Sequence, residues 1–187
     1  MRLDSSGNLG LGVTPSGWAS GVKAIDVNAY ASFFGDNDTT FISNNAYLNA
    51  SSAWIYKATN AASYYRQQAG AHKWYYAASG TAGSAISFTT AMTLDASGNL
   101  GIGTSSPSYK LDIQGNTSGQ FWASIKNTNS GASAIGGWFF GNDSYGDVGG
   151  VFVGSTGGSG FGGANSMNIG SWRSAPLAMF TNNTERM

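Results

Sequence analysis

Two stretches of the sequence, MRLDSSGNLGLG at residues 1–12 and MTLDASGNLGIG at residues 92–103, are near-copies of each other. Nine of the twelve aligned positions are identical, and a Thr and a Pro follow each copy. Self-similarity of this kind is the signature of a repeated structural unit. Each copy alternates apolar with other residues on both sides of a turn-forming segment centred on Ser-Gly-Asn, which predicts a β-hairpin. We call each copy, with its Thr and Pro, a collar.

The predicted hairpins have one row of aliphatic side chains and an opposite face of bare glycine backbone. An isolated two-stranded hairpin is marginally stable in water, and glycine lets another backbone approach closely. We therefore expect other copies of the chain to complete the collars around a shared axis. The alternative is an ordinary hairpin within one monomeric domain. The aliphatic residues assigned to the axis are Leu3, Leu9, Leu11, Val13, Met92, Leu94, Leu100 and Ile102.

The repeat divides the chain into two modules, each a collar followed by a divergent body. The collars are predicted at residues 1–16 and 92–108, and the bodies at residues 17–91 and 109–187. A second pair of similar segments, FFGDND in the first body and FFGNDS in the second, supports the repeat. Met187 stands where a third collar is expected to begin.

Both bodies consist of short β-prone runs separated by Gly, Asn and Ser turns about every 8–12 residues, which favours all-β sandwich or meander modules. The alternative considered is a short helix in the Ala-rich segment 57–71. The strands are predicted at residues 24–28, 31–34, 39–42, 54–56, 63–66, 72–76 and 85–89 in the first body, and at 109–113, 121–125, 137–140, 148–153, 166–169 and 175–181 in the second. The Gly-rich segment 154–163 is predicted to be a loop.

The amino-acid composition excludes several classes of protein. Leu, Ile, Val and Phe number only 33 of 187 residues, which is a thin aliphatic core for a lone globule. Trp, Tyr and Phe number 25, and nine basic residues balance nine acidic ones, so the chain is expected to be ordered. The zero net charge argues against nucleic-acid binding. No apolar run approaches the roughly 20 residues of a membrane span, and the first ten residues lack the apolar region of a secretory signal.

Several active-site chemistries are excluded by residue type. The chain has no cysteine, which rules out disulfides, thiolate metal sites and a thiol nucleophile. His72 is the only histidine, which rules out multi-histidine metal sites, and we expect it to be a surface or turn residue. No Gly-x-Ser-x-Gly nucleophile elbow is present. No cofactor is predicted.

Paired carboxylates are the one enzymatic arrangement that the sequence allows. Asp36 with Asp38, and Asp143 with Asp147, lie in turn-like segments. A glycosidase needs two carboxylates about 5–10 Å apart across the sugar bond. Asp is also a default turn residue, and we favour that interpretation. The same turns offer oxygen ligands for calcium, although their spacing is not that of an EF-hand loop.

Aromatic side chains are the stronger functional signal. Flat rings bordered by Asn, Gln and Asp can bind surface glycans, while the same rings can form the core of an aliphatic-poor sheet or line interfaces between chains. Consecutive aromatic pairs point to opposite faces of a strand, so some rings are expected outside the core. The predicted glycan or receptor contacts are Trp54, Tyr56, Tyr64, Tyr65, Trp74, Tyr75, Tyr76, Trp138 and Trp172.

The segment MTLDASGNLGIGTSSPSYKLDIQG at residues 92–115 resembles the recurring segment of tailed-bacteriophage tail-fibre and receptor-binding proteins. Residues 86–103 and 176–187 resemble the approach to that same segment. In such proteins the segment often precedes an intramolecular chaperone of the endosialidase type, which assists trimerisation and is then cut off; no residue of this chain matches the chaperone.

The resemblance implies an intertwined homotrimeric fibre, located in the virion and extracellular after release. Its implied partners are further copies of itself, other tail or fibre proteins, and a glycan or protein of the host-cell surface. We therefore expect a non-catalytic fibre segment that displays or forms the receptor-binding region. The alternatives are a carbohydrate-degrading fibre module and an extracellular adhesin or filament protein of prophage-like origin.

Overall fold

The computed structural model describes residues 1–126, 128, 135–142, 146–154, 167–171, 180–181 and 184–185. The chain divides into two compact units, Met1–Phe121 and Trp122–Met187. All helical or strand structure in the described residues is β-strand, so the all-β prediction is confirmed. Intertwining and the tandem arrangement of collar and body stay predictions.

One sheet of ten strands forms the framework of the first unit. Its order is β1-β2-β3-β4-β5-β8-β9-β10-β11-β12. Neighbouring strands are antiparallel except for the pairs β2–β3 and β11–β12, which are parallel. The ten strands are β1 (Arg2–Leu3), β2 (Leu9–Leu11), β3 (Lys23–Val27), β4 (Ala31–Asp36), β5 (Thr39–Asn44), β8 (Asn60–Gln68), β9 (Ala71–Gly80), β10 (Thr89–Leu94), β11 (Leu100–Ile102) and β12 (Leu111–Ile113). A separate hairpin pairs β6 (Ala46–Leu48) with β7 (Trp54–Tyr56).

The two faces of this sheet differ because side chains alternate along each strand. In β3 the second and fourth residues are buried while the other three are exposed, and β4 begins with the same alternation. The turn between β4 and β5 contains Asn37, whose φ is +36°. Asn tolerates this left-handed backbone better than most residues, which suits a tight turn.

The buried face is packed mainly with aromatic rings. Phe34 and Phe41 stack with their centroids 4.6 Å apart, and Trp18 lies 4.5 Å from Phe34. Trp54, from the β6–β7 hairpin, stacks on Tyr64 at 4.4 Å. Aromatic rings therefore supply the core volume that the scarce aliphatic residues cannot.

The structure changes three strand predictions in or beside the first unit. The Ala-rich segment 57–71 contains β8 and the start of β9, so the helix alternative is wrong there. Residues 85–88 are not in a strand, although Ala85 forms an isolated bridge with Ile55. Residues 121–125 are exposed and lie outside any strand, so the strand predicted there is not formed.

The second unit contains a three-stranded antiparallel sheet in the order β13-β14-β15. Its strands are β13 (Ile135–Asn142), β14 (Gly146–Gly154) and β15 (Met167–Ser171), which include nearly all of the predicted runs 137–140, 148–153 and 166–169. A two-residue pair, β16 (Phe180–Thr181) with β17 (Thr184–Glu185), follows. Residues 155–163 of the predicted loop, Asp143 and Trp172 lie outside the described residues.

Candidate functional site

The two collars have the same hairpin geometry. In the first, the Asn8 amide donates a 2.8 Å hydrogen bond to Asp4 Oδ1, and the Asn8 side-chain amide donates to Asp4 Oδ2 at 3.0 Å. Asn99 and Asp95 repeat both bonds at 2.9 and 3.0 Å. These bonds stabilise the carboxylate, and they lower the pKa of Asp4 and of Asp95 below the ordinary value of 3.8.

The structural repeat extends beyond the predicted hairpins to a third strand. In the first copy Leu9 of β2 lies beside Ile25 of the parallel strand β3, and in the second Leu100 of β11 lies beside Leu111 of β12. Each third strand contains an Asp whose side chain accepts a hydrogen bond from a backbone amide of the preceding loop. The Ser16 amide donates to Asp26 at 2.7 Å, and the Ser108 amide donates to Asp112 at 2.9 Å.

Strands were predicted at residues 24–28 and 109–113 but were assigned to the bodies; their pairing with the collars was missed, although a signal was present. The sequences Ile25-Asp26-Val27 and Leu111-Asp112-Ile113 share an aliphatic-Asp-aliphatic pattern, and each follows a Pro-Ser pair. The spacing from that pair differs, because residues 17–22 form an additional loop in the first copy. That loop contributes Trp18, Ala19 and Val22 to the core.

The predicted axis residues are mostly gathered on the uncovered face of the ten-stranded sheet, which we call the open face. Leu3, Leu9, Met92 and Ile102 belong to one row that crosses the sheet from edge to edge. Leu11 lies in the row on one side of it, and Leu94 and Leu100 lie in the row on the other. Val13 is not in a strand; it follows β2 in a loop and is half-buried.

The predicted aromatic contacts separate into buried and exposed groups. Tyr56 and Tyr64 are buried in the two core clusters and therefore are core residues in this chain, not surface contacts. Trp54 and Tyr75 are partly buried and pack against the core. On the other side, Tyr65 and Trp74 are half-buried neighbours on the open face, with ring centroids 5.0 Å apart. Tyr76 is 53% exposed and Trp138 is 45% exposed.

A buried ion pair connects the ten-stranded sheet to the segment that follows the β6–β7 hairpin, which packs over the buried face of the sheet and which we call the cover. Lys57 Nζ is 2.6 Å from Asp26 Oδ1, and the two side chains are 6% and 1% exposed. Burial opposes the charged form of Asp26, but hydrogen bonds from Lys57, the Ser16 amide and Ser32 outweigh it and lower its pKa. Burial also lowers the pKa of Lys57. With Trp18 Nε1 as a fourth donor, the carboxylate is fully hydrogen-bonded, which identifies it as structural.

The described residues of the first unit line at least two depressions. One, of about 350 Å³, lies over the Asp26–Lys57 pair and is also lined by Tyr47 and Tyr56. The other, of about 230 Å³, lies beside the β8–β9 turn and contains one carboxylate, Asp38, among mainly polar neighbours. Asp38 Oδ1 accepts a hydrogen bond from Gln68 at 3.3 Å.

His72 occupies the edge of this second depression. It lies in β9, is half-buried, and its Nδ1 is hydrogen-bonded to the Tyr65 hydroxyl. Gln67 donates to the same hydroxyl at 2.9 Å. Among the described residues, no group of three or more His, Cys, Asp or Glu side chains is placed to hold a metal ion.

Comparisons of the chain with protein-family models, curated proteins and solved structures find no match. In the described part of the chain, no helix has the length and apolarity needed to cross a membrane.

Proposed function

We propose that this chain is a segment of a homotrimeric viral tail fibre that displays or forms the region attaching to the host-cell surface, without catalysis. The observation that carries the proposal is the duplicated collar. Two segments whose first residues lie 91 positions apart fold into the same hairpin with the same added parallel strand. A unit repeated along a chain suits an elongated shaft, because each copy extends the array by the same step.

The surface chemistry supports assembly with other copies of the chain. Large apolar side chains remain uncovered on the first unit, including Leu3 at 69%, Phe33 at 52% and Ile42 at 54% exposure. Contiguous exposed apolar surface marks interaction sites in soluble proteins. Three copies about one axis would cover such surface and would divide the hydrophobic core among them.

Glycan attachment is the form of host contact that we propose. The depression beside the β8–β9 turn offers Asp38 and Gln68 as hydrogen-bonding groups. Carboxylate and amide groups of this kind bond the hydroxyls of a sugar. Since only one carboxylate lines this depression, it fits sugar binding better than the two-carboxylate hydrolysis of a depolymerase.

Light scattering after size exclusion tests the assembly, and a polysaccharide assay tests the chemistry. We expect the mass of three chains; a monomer at every concentration would contradict the fibre proposal.

In the polysaccharide assay, purified bacterial capsular polysaccharides and O-antigens are incubated with the protein. We expect binding to one of them that Gln68→Ala weakens, and no release of reducing ends. Release that Asp38→Asn abolishes would establish the depolymerase alternative instead.

A further inference from the structure

One residue from each of the ten strands contributes to a continuous apolar row on the open face, which we call the central row. Cross-strand pairing brings these residues into line through all nine strand contacts of the sheet. In order they are Leu3, Leu9, Ile25, Phe33, Ile42, Tyr65, Trp74, Met92, Ile102 and Ile113. None of the ten is buried in the isolated chain, although all ten are apolar or aromatic.

The rows on either side are almost free of charge. One runs from Lys23 through Thr40, Gln67 and His72 to Leu111, and the other runs from Leu11 to Thr89. Across the three rows, Lys23 and His72 are the side chains that can carry charge, and no carboxylate is present. A partner recognised by charge complementarity, such as an acidic or basic peptide, would find little on this face.

We propose that the central row and its two neighbouring rows are the surface through which copies of this chain associate. This inference rests on the proposed trimeric fibre and assigns its interface. The three rows contain 25 residues. At about 32 Å² per residue on a sheet face they cover on the order of 800 Å². A specific protein–protein interface takes about the same area, 800 Å², from each partner.

Geometry favours an identical copy as the occupant. Ten strands span roughly 43 Å, and an identical copy presents an apolar row of the same length. Strands in a sheet also rotate by about 20° from one to the next, so the row's side chains turn through roughly half a turn across the sheet. Copies wound about a common axis share this turn and can stay in contact along the whole row.

To test the proposed interface, two positive charges are added to the central row in the double variant Phe33→Lys with Ile42→Lys. These side chains are cross-strand neighbours, and both are more than half exposed, so the isolated chain loses little packing. The matched control adds the same two charges at exposed turn positions away from the open face, Ser20→Lys with Ser51→Lys. We expect the first variant to be monomeric at concentrations where the wild type and the control are trimeric.

Thiol labelling gives a second, independent measurement. Since the chain has no cysteine, Ile42→Cys and Ser51→Cys each introduce a single reactive group. In the trimer we expect maleimide to label the thiol of Ile42→Cys at least about tenfold more slowly than that of Ser51→Cys, which corresponds to about 1.4 kcal/mol of protection. This measurement also decides the question if the double-lysine variant does not fold.

The outcomes distinguish the interface from the proposed function. A trimeric wild type with a trimeric double-lysine variant, or with a rapidly labelled Ile42→Cys thiol, overturns the interface and leaves the fibre proposal standing. A monomeric wild type overturns both. A protected thiol in a monomer means that another segment of the same chain covers the open face, and this also overturns the interface.

Discussion

At the scale of single residues, Asp26 and Lys57 connect three parts of the first unit that are distant in sequence. Asp26 is in β3, Ser32 is in β4, and Lys57 follows the β6–β7 hairpin that covers the core. Removing one partner of a buried ion pair leaves the other charge without compensation in a poorly solvating environment, which is more damaging than removing both. The pair therefore fixes the cover to the sheet.

Lys57→Met tests this role because it keeps the length of the side chain and removes its charge. We expect the free energy of unfolding to fall by about 3–5 kcal/mol, measured by urea denaturation, because Asp26 is left as an unpaired buried charge. The double variant Asp26→Asn with Lys57→Met should recover part of this loss. Lys73→Met, at a side chain that is not buried, is the control. A loss below about 1 kcal/mol for Lys57→Met, the range of an exposed pair, would contradict the argument.

Residue-level features were only partly predictable from the sequence. The abundance of aromatic residues indicated that rings could substitute for aliphatic side chains, and the core cluster around Phe34 is built mainly of rings. The sequence did not separate Tyr64 from Tyr65, because neighbours on a strand point to opposite faces and only the register decides which face is covered. The partner of Lys57 was also hidden, since 31 residues separate it from Asp26.

At the scale of elements, the collar hairpin and the strand that follows it were predictable, whereas the pairing of that strand with the hairpin was not. The hairpin is local: the turn of Asp4 to Asn8 is specified by five consecutive residues, and Gly7 takes a φ of +82° that favours glycine. The parallel strand β3 depends on a connection that passes through the core. Short-range patterns cannot reveal such a pairing, although the duplication of the Asp-containing strand in β12 was visible in hindsight.

Gly10→Ala tests how closely the collar loop packs on its own strand. An added Cβ would lie 2.1 Å from the carbonyl oxygen of Val13, a backbone atom that has little room to move. We expect the free energy of unfolding to fall by about 1–3 kcal/mol, the usual effect of overpacking. Gly17→Ala is the matched control, since its Cβ would meet no atom within 4 Å. Equal stability of the two variants in urea denaturation would be inconsistent with the close packing seen here.

The collar turns also predict a pH dependence. The pKa of Asp4 and of Asp95 is lowered below 3.8 by hydrogen bonds from Asn8 and Asn99, so the folded protein binds fewer protons than the unfolded chain near that pH. Stability gained from these bonds is present above pH 3.8 and is lost as the pH falls through the lowered pKa values. In urea denaturation, the free energy of unfolding of the double variant Asp4→Asn with Asp95→Asn should fall less steeply with decreasing pH than that of the wild type. An unchanged slope in the double variant would refute the assignment.

At the scale of the whole molecule, the described residues of the first unit cover only one face of its sheet. The β6–β7 hairpin and the loop before β3 pack on the aromatic side, while the open face keeps its central row uncovered. Because aromatic rings are concentrated on the covered face, a chain poor in aliphatic residues still forms a core there. Part of its apolar surface lies on the open face, and if copies associate through that face as proposed, the stability of one copy depends on the others.

That dependence predicts an unfolding equilibrium that responds to protein concentration. If three chains unfold together, a hundredfold increase in concentration should stabilise each chain by about 2 kcal/mol through mass action, and the urea midpoint should rise accordingly. The Phe33→Lys with Ile42→Lys variant should show one midpoint at all concentrations, while Ser20→Lys with Ser51→Lys should behave like the wild type. A wild-type midpoint that stays constant over this range would mean that the open face contributes nothing to stability by association, because only burial between separate chains makes unfolding depend on their concentration.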